Sequence, residues 1–283
     1  MNDAQIHHFL GLDIGGSEIK AALVNQRGAV LESHHAPTPA SLNQFRAVLH
    51  TLVGALQPKD AAFRGIGIGC KGIIDQDTSR VLVLPGHLNY LEGLLLSELI
   101  TPALSRPCLI AADNDARVVL AGERAWGGAR KCQTVLLLTL GTGVGGAILS
   151  DGTILRGAGG IAGHLGHLTV DPDGEECICG NRGCLETVFS AHAIESAAFA
   201  AIHRGVRSSL LEYGSRPPTC AEVFACARKG DEPALYIIRR AARVLGAAIA
   251  GLAHVFDPEV VILSGQMVES GDLLVDIVRN EVG

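Results

Sequence analysis

The stretch LDIGGSEIK, residues 12–20, joins two short apolar runs through a pair of glycines. The same plan returns at residues 138–148 as LTLGTGVGGAI. In both stretches the glycines predict a tight turn whose backbone N–H groups can surround phosphate oxygens without side-chain obstruction. Neither stretch has the spacing of a Walker P-loop. The repeat predicts two halves that each begin with a strand, a glycine turn and a second strand.

Hydrophobic spacing extends each half into an α/β pattern. In the first half, a strand meander precedes a helix at residues 41–57, the strand IGIGC, the strand CLIAADNDA and a helix that ends at two glycines. In the second half, long helices are predicted at 188–204 and 233–255. The stretch PEVVILSGQ, residues 258–266, is predicted to be a buried strand. From the internal repetition we expect two domains, 1–117 and 118–283.

Composition narrows the class of protein. The chain has 283 residues, of which 48% are hydrophobic, and this is enough for more than one core. A net charge of -6 without a dense basic run argues against a nucleic-acid partner. The N-terminus lacks a secretory signal pattern, and no apolar run approaches the length of a membrane helix. We therefore expect a cytoplasmic protein with reduced cysteines and no membrane partner.

The segment CICGNRGC, residues 177–184, holds three cysteines on a glycine-rich loop. Their close spacing is unfavourable for an unstrained disulfide and leaves one thiol over. Three thiolates and one imidazole would complete a closed, structural zinc site, with His167 as the nearer candidate and His164 as the other. The alternative is a group of reduced, buried cysteines beside an acidic loop.

Acidic side chains stand where two strands of the first half end. Asp13 precedes the first glycine turn and can hold Mg²⁺ directly or through water, or else it only fixes the turn. Asp113, Asn114 and Asp115 end another apolar strand, and we expect one of the three to cap the following helix. A carboxylate at this place can accept a proton from a hydroxyl that attacks phosphorus. With Thr142 in the second turn, the pattern indicates a nucleotide clamp.

Five stretches together resemble a known family: LGLDIGGSEIKAAL, AADNDARVVLAGE, LLTLGTGVGGAIL, GGIAGHLGH and CICGNRGCLE. In this order they are similar to the ROK family of bacterial sugar kinases, repressors and open reading frames, within the actin-like ATPase superfamily. The resemblance covers residues 9–270. It implies an α/β fold of two actin-like (ribonuclease H-like) domains with an interdomain cleft that closes over ATP and a sugar, and it implies a homodimer.

The resemblance also implies roles for individual residues. ATP and Mg²⁺ contacts fall on the two glycine turns and a third turn: Asp13, Gly15, Gly16, Ser17, Lys20, Gly141, Thr142, Gly143, Gly145, Ser264 and Gly265. Sugar contacts fall on Gly72, His87, Asn89, Asn114, Asp115, His164, His167 and Glu186, with Asp115 as the catalytic base. The implied zinc ligands are His167, Cys177, Cys179 and Cys184. One ring nitrogen of His167 then binds the metal and the other a sugar hydroxyl.

Several positions depart from the family pattern. His164 stands where hexokinase-like members carry Glu, and an imidazole can donate where a carboxylate only accepts. Bacterial N-acetylmannosamine kinases share His-x-Gly-His, which favours an N-acyl hexosamine over glucose. Lys71 replaces a frequent Pro, and its role stays open. Ser17 keeps the hydroxyl of the usual Thr, and Asn89 is an alternative to His87. The family's final strand and helix are expected to be missing from the second domain.

These features predict an ATP-dependent kinase that phosphorylates the 6-hydroxyl of a hexose or N-acyl hexosamine, with N-acetylmannosamine preferred and glucose as the alternative. A second class is open, because many ROK proteins are sugar-responsive repressors. Those carry an N-terminal helix-turn-helix, whereas the first glycine turn begins here at residue 15. A third class is a zinc-stabilised sugar-binding protein without catalysis.

Overall fold

The computed structural model describes residues 6–58, 63–214, 216–269 and 272–282. Two compact units form: Met1–Lys131 with Arg156–Ala162, and Cys132–Leu155 with Gly163–Gly283. Each unit has a hydrophobic core of its own. Residues 1–5, which belong to the N-terminal stretch without a signal pattern, lie outside the described residues.

The first unit is built on a five-stranded sheet. The strands of this sheet are β1 (His8–Ile14), β2 (Glu18–Asn25), β3 (Val30–Pro37), β4 (Phe63–Cys70) and β7 (Leu109–Asn114). A separate hairpin consists of β5 (Ile73–Asp75) and β6 (Arg80–Val83). The sheet order is β3-β2-β1-β4-β7, and β5 pairs with β6. β1, β2 and β3 pair antiparallel, whereas β4 runs parallel to both β1 and β7.

The described α-helices of the first unit are α1 (Leu42–Leu56), α2 (Leu96–Ile100) and α3 (Asp115–Trp126). α1 buries one stripe of side chains at helical spacing, among them Phe45, Leu49 and Leu56. α3 begins directly where β7 ends, so the polar residues that end the strand also open the helix.

The second unit repeats the strand plan of the first. Its strands are β8 (Val135–Leu140), β9 (Val144–Ser150), β10 (Thr153–Ile154) and β11 (Val260–Ser264), in the order β10-β9-β8-β11. β8 and β9 pair antiparallel and β11 runs parallel to β8, as in the first sheet. Its helices are α4 (Leu185–Val188), α5 (Ala191–His203), α6 (Cys220–Arg228), α7 (Glu232–Phe256), α8 (Gln266–Glu269) and α9 (Asp272–Val282). The repeated order confirms the predicted two-domain, actin-like fold class.

The boundary between the units differs from the expected residue 117. That position lies inside α3, which packs against β4 and β7 of the first unit. The whole helix therefore belongs to the first unit, and the division follows Lys131. Hydrophobic periodicity could not show that Arg156–Ala162 also groups with the first unit. No helix in the described part of the chain is long and apolar enough to cross a lipid bilayer.

Candidate functional site

Parallel pairing gathers the acidic residues of the first unit at one sheet edge. Asp13 on β1 aligns with Gly69 on β4, which aligns with Asp113 on β7. Desolvation by the surrounding protein and then the charge of Asp115 raise the pKa of Asp13 above its usual value, although Lys20 opposes the shift. The negative charges of Asp13 and Asp115 therefore repel each other, and a bound cation would relieve that repulsion.

The first glycine turn connects β1 to β2. The Gly15 N–H donates to the Glu18 carbonyl oxygen at 3.1 Å, and a Cβ added to Gly15 would stand 2.8 Å from that oxygen. The His87 ring hydrogen-bonds the carbonyl oxygen of Gly16. Ser17 is exposed at the turn. The predicted sugar ligand His87 therefore lies on the glycine turn.

Asn114 is the helix cap among the three polar residues that end β7. Its Oδ1 accepts from the N–H groups of Ala116 and Arg117 at 3.1 and 3.4 Å, and its Nδ2 donates to the Gly72 carbonyl oxygen at 3.1 Å. Asn114 is buried, whereas Asp115 is half-buried in the first turn of α3. The structure thus brings Gly72 and Asn114 into contact, with Asp115 directly after them.

Two other predicted residues of the first unit are Lys20 and Asn89. Lys20 lies on β2 opposite Asp13, with its Nζ 3.8 Å from a carboxylate oxygen of Glu18. Asn89 is exposed at the start of a 3-10 helix, Asn89–Leu91. Lys71, the residue of open role, is half-buried just beyond the end of β4.

The second glycine turn is braced by Glu186. Glu186 Oε2 accepts from the Val144 N–H at 2.8 Å, and a Cβ added to Gly143 would stand 2.3 Å from the same oxygen. The Gly141 N–H donates to the Gly143 carbonyl oxygen at 3.1 Å, which closes the turn around an exposed Thr142. Sequence reasoning assigned Glu186 to the sugar alone and missed this bond to the turn.

A third turn lies beside the second one in the same sheet. Ser264 on β11 aligns with Thr139 on β8, so the residues that follow these strands come to the same edge. Gly265 has a φ of +100°, and a Cβ there would stand 2.4 Å from the Leu140 carbonyl oxygen. Only glycine fits both the backbone conformation and the space. Gly145, the second residue of β9, lies opposite Thr139.

Glycines also fix the segment with the two histidines. A Cβ at Gly166 would stand 1.9 Å from the Val144 carbonyl oxygen, so this segment packs against β9 through bare backbone. The rings of His164 and His167 lie nearly parallel, with centroids 6.4 Å apart. His167 turns its Nδ1 towards Cys177 Sγ at 3.4 Å. This orientation leaves Nε2 as the nitrogen for any second partner.

The four predicted metal ligands form one cluster. One ligand atom from each of His167, Cys177, Cys179 and Cys184 lies within 4.8 Å of all the others. The sulfurs of Cys179 and Cys184 are 3.6 Å apart, near the roughly 3.8 Å edge of a tetrahedral zinc site and far from a disulfide bond. All eight cysteines of the chain are free. Burial raises the pKa of the Cys184 thiol to about 12, so a metal would have to displace its proton.

The loop backbone holds this cluster together. Thr169 and Cys184 form an isolated antiparallel bridge, as do Glu176 and Arg182. Gly183 has a φ of +65°, and a Cβ there would stand 1.4 Å from the Asp171 carbonyl oxygen. Cys184 is followed at once by α4, which carries Glu186. The ligand cluster and the second glycine turn are therefore linked through two residues of chain.

The ion pairs of the Asp113 carboxylate were not anticipated from the sequence. The carboxylate accepts from Arg117 at 3.3 Å and from Arg156 at 2.7 Å. The spacing of four residues between Asp113 and Arg117 on a helix start was the one available signal. Nothing in the sequence pattern pointed to Arg156.

Comparisons with known proteins give both sequence relatives and a structural relative of this chain. Residues 9–283 match the profile of the ROK family. A glucokinase of Thermotoga maritima is 33% identical over 279 residues, which cover 96% of this chain and 86% of that protein. An N-acetylmannosamine kinase of Escherichia coli is 32% identical over 259 residues, or 91% of this chain and 82% of that protein. The crystal structure of a ROK family glucokinase from Streptomyces griseus, in complex with glucose and AMPPNP, superposes with a TM-score of 0.84 at 30% identity and covers 97% of this chain and 88% of that one.

Proposed function

We propose that this chain, which belongs to the ROK family, is an ATP-dependent kinase that phosphorylates the 6-hydroxyl of a hexose or N-acyl hexosamine. The observation that carries the proposal is that parallel pairing of β1, β4 and β7 brings Asp13 and the start of α3 at Asp115 to one edge of the first sheet, beside a glycine turn. Relatives that are themselves sugar kinases support it. Phosphoryl transfer asks a protein mainly for positioning and for balance of charge, and these residues are suited to both tasks.

Asp115 is the proposed general base. Its place in the first turn of α3, after a buried cap at Asn114, holds the carboxylate on a rigid element. It would accept the proton of the sugar 6-hydroxyl as that oxygen attacks the terminal phosphorus of ATP. Asp13 would hold Mg²⁺, whose charge offsets the phosphates. The fit rests on the place of Asp13 on β1 and of Asp115 directly after β7, at one edge of the first sheet, because neighbouring carboxylates favour a bound cation.

The glycine turns are the proposed phosphate contacts. Gly15, Gly141 and Gly143 lie in the two turns, where the lack of a side chain lets a ligand approach the backbone, and glycine turns of this kind favour anions. Glu186 keeps the second turn in shape through its bond to Val144. The third turn, Ser264–Gly265, is the proposed adenosine contact.

Zinc is proposed as a structural ion on His167, Cys177, Cys179 and Cys184. A Cys3His set uses every ligand position, so the metal would brace the loop and take no part in the transfer. Because Cys184 precedes α4, the metal would also fix the start of the helix that carries Glu186. We further propose that the protein works in the cytoplasm, where its free cysteines would stay reduced, and that it acts as a homodimer, as the family resemblance implies.

N-acetylmannosamine is the proposed preferred sugar. His164 can donate a hydrogen bond where Glu only accepts, and the similarity to an N-acetylmannosamine kinase supports this choice. Glucose is the second candidate, because a glucokinase is similar at 33% identity. The proposed roles of all other residues are the same whether the substrate is N-acetylmannosamine or glucose.

ADP release tests the kinase proposal. Purified protein is incubated with ATP, Mg²⁺ and, separately, N-acetylmannosamine, N-acetylglucosamine, glucose, mannose, fructose and allose. Asp115→Asn is the matched control, because it keeps the side-chain shape and removes the base. Turnover on one of these sugars that falls at least about a hundredfold in the control supports the proposal. Sugar binding without ADP release in the wild type contradicts it and favours a non-catalytic relative.

A further inference from the structure

Two arginine side chains converge on the carboxylate of Asp113. Arg117 donates from Nη1 to Oδ1 at 3.3 Å, and Arg156 donates from Nε and Nη2 to Oδ2 at 3.1 and 2.7 Å. Only 1% of the Arg117 side chain is exposed. A guanidinium that has lost its water needs a carboxylate and further acceptors in fixed positions. This ion pair is therefore ordered, unlike one between mobile surface side chains.

The Nη2 group of Arg117 holds the segment Arg156–Ala162, whereas its buried Nε has no partner among the described residues. Its Nη2 donates to the carbonyl oxygens of Gly160 and Ala162 at 2.6 and 2.7 Å. Gly160 has a φ of +77°, and a Cβ there would stand 3.0 Å from Ile73 Cγ2. The segment thus lies between the start of α3 and strand β5, close against both.

These contacts form a circuit around Asn114. Ile73 follows Gly72, whose carbonyl oxygen accepts from Asn114 Nδ2 at 3.1 Å. On the other side, Asp113 Oδ1 accepts from the Asn114 N–H at 2.8 Å. The Arg117 backbone N–H donates directly to Asn114 Oδ1 at 3.4 Å. The Arg117 side chain is connected to Asn114 by two further routes, one through Asp113 and the other through Gly160, Ile73 and Gly72. Asn114 caps the helix whose first residue is the proposed base.

We propose that Arg117, Asp113 and Arg156 are positioning residues that set the sugar affinity of the first unit. They act through Gly72 and Asn114, which the family resemblance implies as sugar contacts, and through Asp115, the base in the proposed function on which this inference rests. Arg117 itself is enclosed by protein groups and does not reach substrate. Small displacements of groups that orient a substrate have large kinetic effects. Because the groups that this network positions are on the sugar side, its loss should change the affinity for the sugar more than the affinity for the nucleotide.

The test compares Arg117→Met and Arg117→Lys with Arg124→Met. Arg124 lies on the same helix but is exposed, so its substitution controls for a lost positive charge on α3. Arg156→Gln adds a milder change at a partly exposed member. Steady-state kcat and KM for the sugar and for ATP are measured, together with sugar binding by calorimetry without ATP. Thermal midpoints and zinc content show which variants keep the fold.

We expect the sugar KM and the sugar dissociation constant to rise by about tenfold or more in Arg117→Met. The KM for ATP should stay within about twofold, Arg117→Lys should recover only part of the loss, and Arg156→Gln should show a smaller shift in the same direction. Unchanged sugar parameters in a folded Arg117 or Arg156 variant would overturn the proposal. A uniform loss of activity, without a separate change in sugar affinity, would assign the network to stability alone and overturn it too.

Failure of the proposed function is a distinct result. Wild-type protein that binds sugar and releases no ADP contradicts the kinase activity, and calorimetry then still decides the positioning role. Equal sugar affinity of wild type and Arg156→Gln, with equal thermal midpoints, would overturn it in that case as well. If Arg117→Met does not fold, the same comparison rests on Arg156→Gln.

Discussion

Gly143→Ala should break the bond between Glu186 and the second glycine turn. The added Cβ would stand 2.3 Å from Glu186 Oε2, closer than real Cβ contacts allow, so the carboxylate must retreat from the Val144 N–H that it now meets at 2.8 Å. Hydrogen bonds to charged groups contribute about 1.5–3 kcal/mol, and the half-burial of Glu186 places the expected loss near the lower end, at about 1.5 kcal/mol. Glu186→Ala removes the same bond and should destabilise the protein by a similar amount.

A double-mutant cycle separates this coupling from other effects. With Glu186→Ala already present, Gly143→Ala has no carboxylate to displace and should cost almost nothing, so the coupling energy is about 1.5 kcal/mol. Urea unfolding supplies the free energies. The control is Gly141→Ala in the same turn, where a Cβ would meet nothing within 4 Å. Additive losses in the double variant, or an equal loss in the control, would refute the coupling.

Three further predictions concern the metal, the charge pair and the sugar. Metal analysis should find about one zinc per chain. Cys184→Ser or a strong chelator should lower both the zinc content and the thermal midpoint. Full stability without zinc would contradict the structural role. Asp13→Asn should abolish turnover and should raise the thermal midpoint at pH 7 without nucleotide. The midpoint should rise because the raised pKa of Asp13 makes the folded protein lose stability as pH rises. The gain in midpoint should vanish below the usual pKa of Asp, and a gain independent of pH would exclude this cause. His164→Glu should shift the ratio of kcat/KM from N-acetylmannosamine towards glucose, and an unchanged ratio would remove His164 from specificity.

Much of the fold could be predicted from local pattern. The repeated strand, glycine turn and strand predicted two related halves, and the strand order of the two sheets confirms the repeat. The helix predictions at 41–57 and 233–255 differ from α1 and α7 by one residue at each end, because both helices carry a long apolar stripe. The cysteine spacing also led to the right cluster, since Gly183 permits the tight return of the loop.

The remaining features depend on contacts between distant parts of the chain. Arg117 and Gly160 are 43 residues apart, and no periodicity records their hydrogen bond. The same long-range contact groups Arg156–Ala162 with the first unit, which the boundary expected at residue 117 did not anticipate. Glu186 is 42 residues from the Val144 N–H that it binds. Side-chain chemistry pointed to candidates, but three-dimensional packing alone assigned their neighbours.

The position of the transferred phosphate on the product decides whether this protein is a sugar 6-kinase. Protein, Mg²⁺ and ATP are incubated with N-acetylmannosamine or with glucose, and phosphorus and carbon NMR locate the transferred phosphate. The account predicts a sugar 6-phosphate formed in step with ADP, and its loss in Asp115→Asn while sugar binding persists. Phosphate on another position, formation of the product at an undiminished rate in Asp115→Asn, or no phosphorylated sugar from zinc-loaded wild type would contradict it.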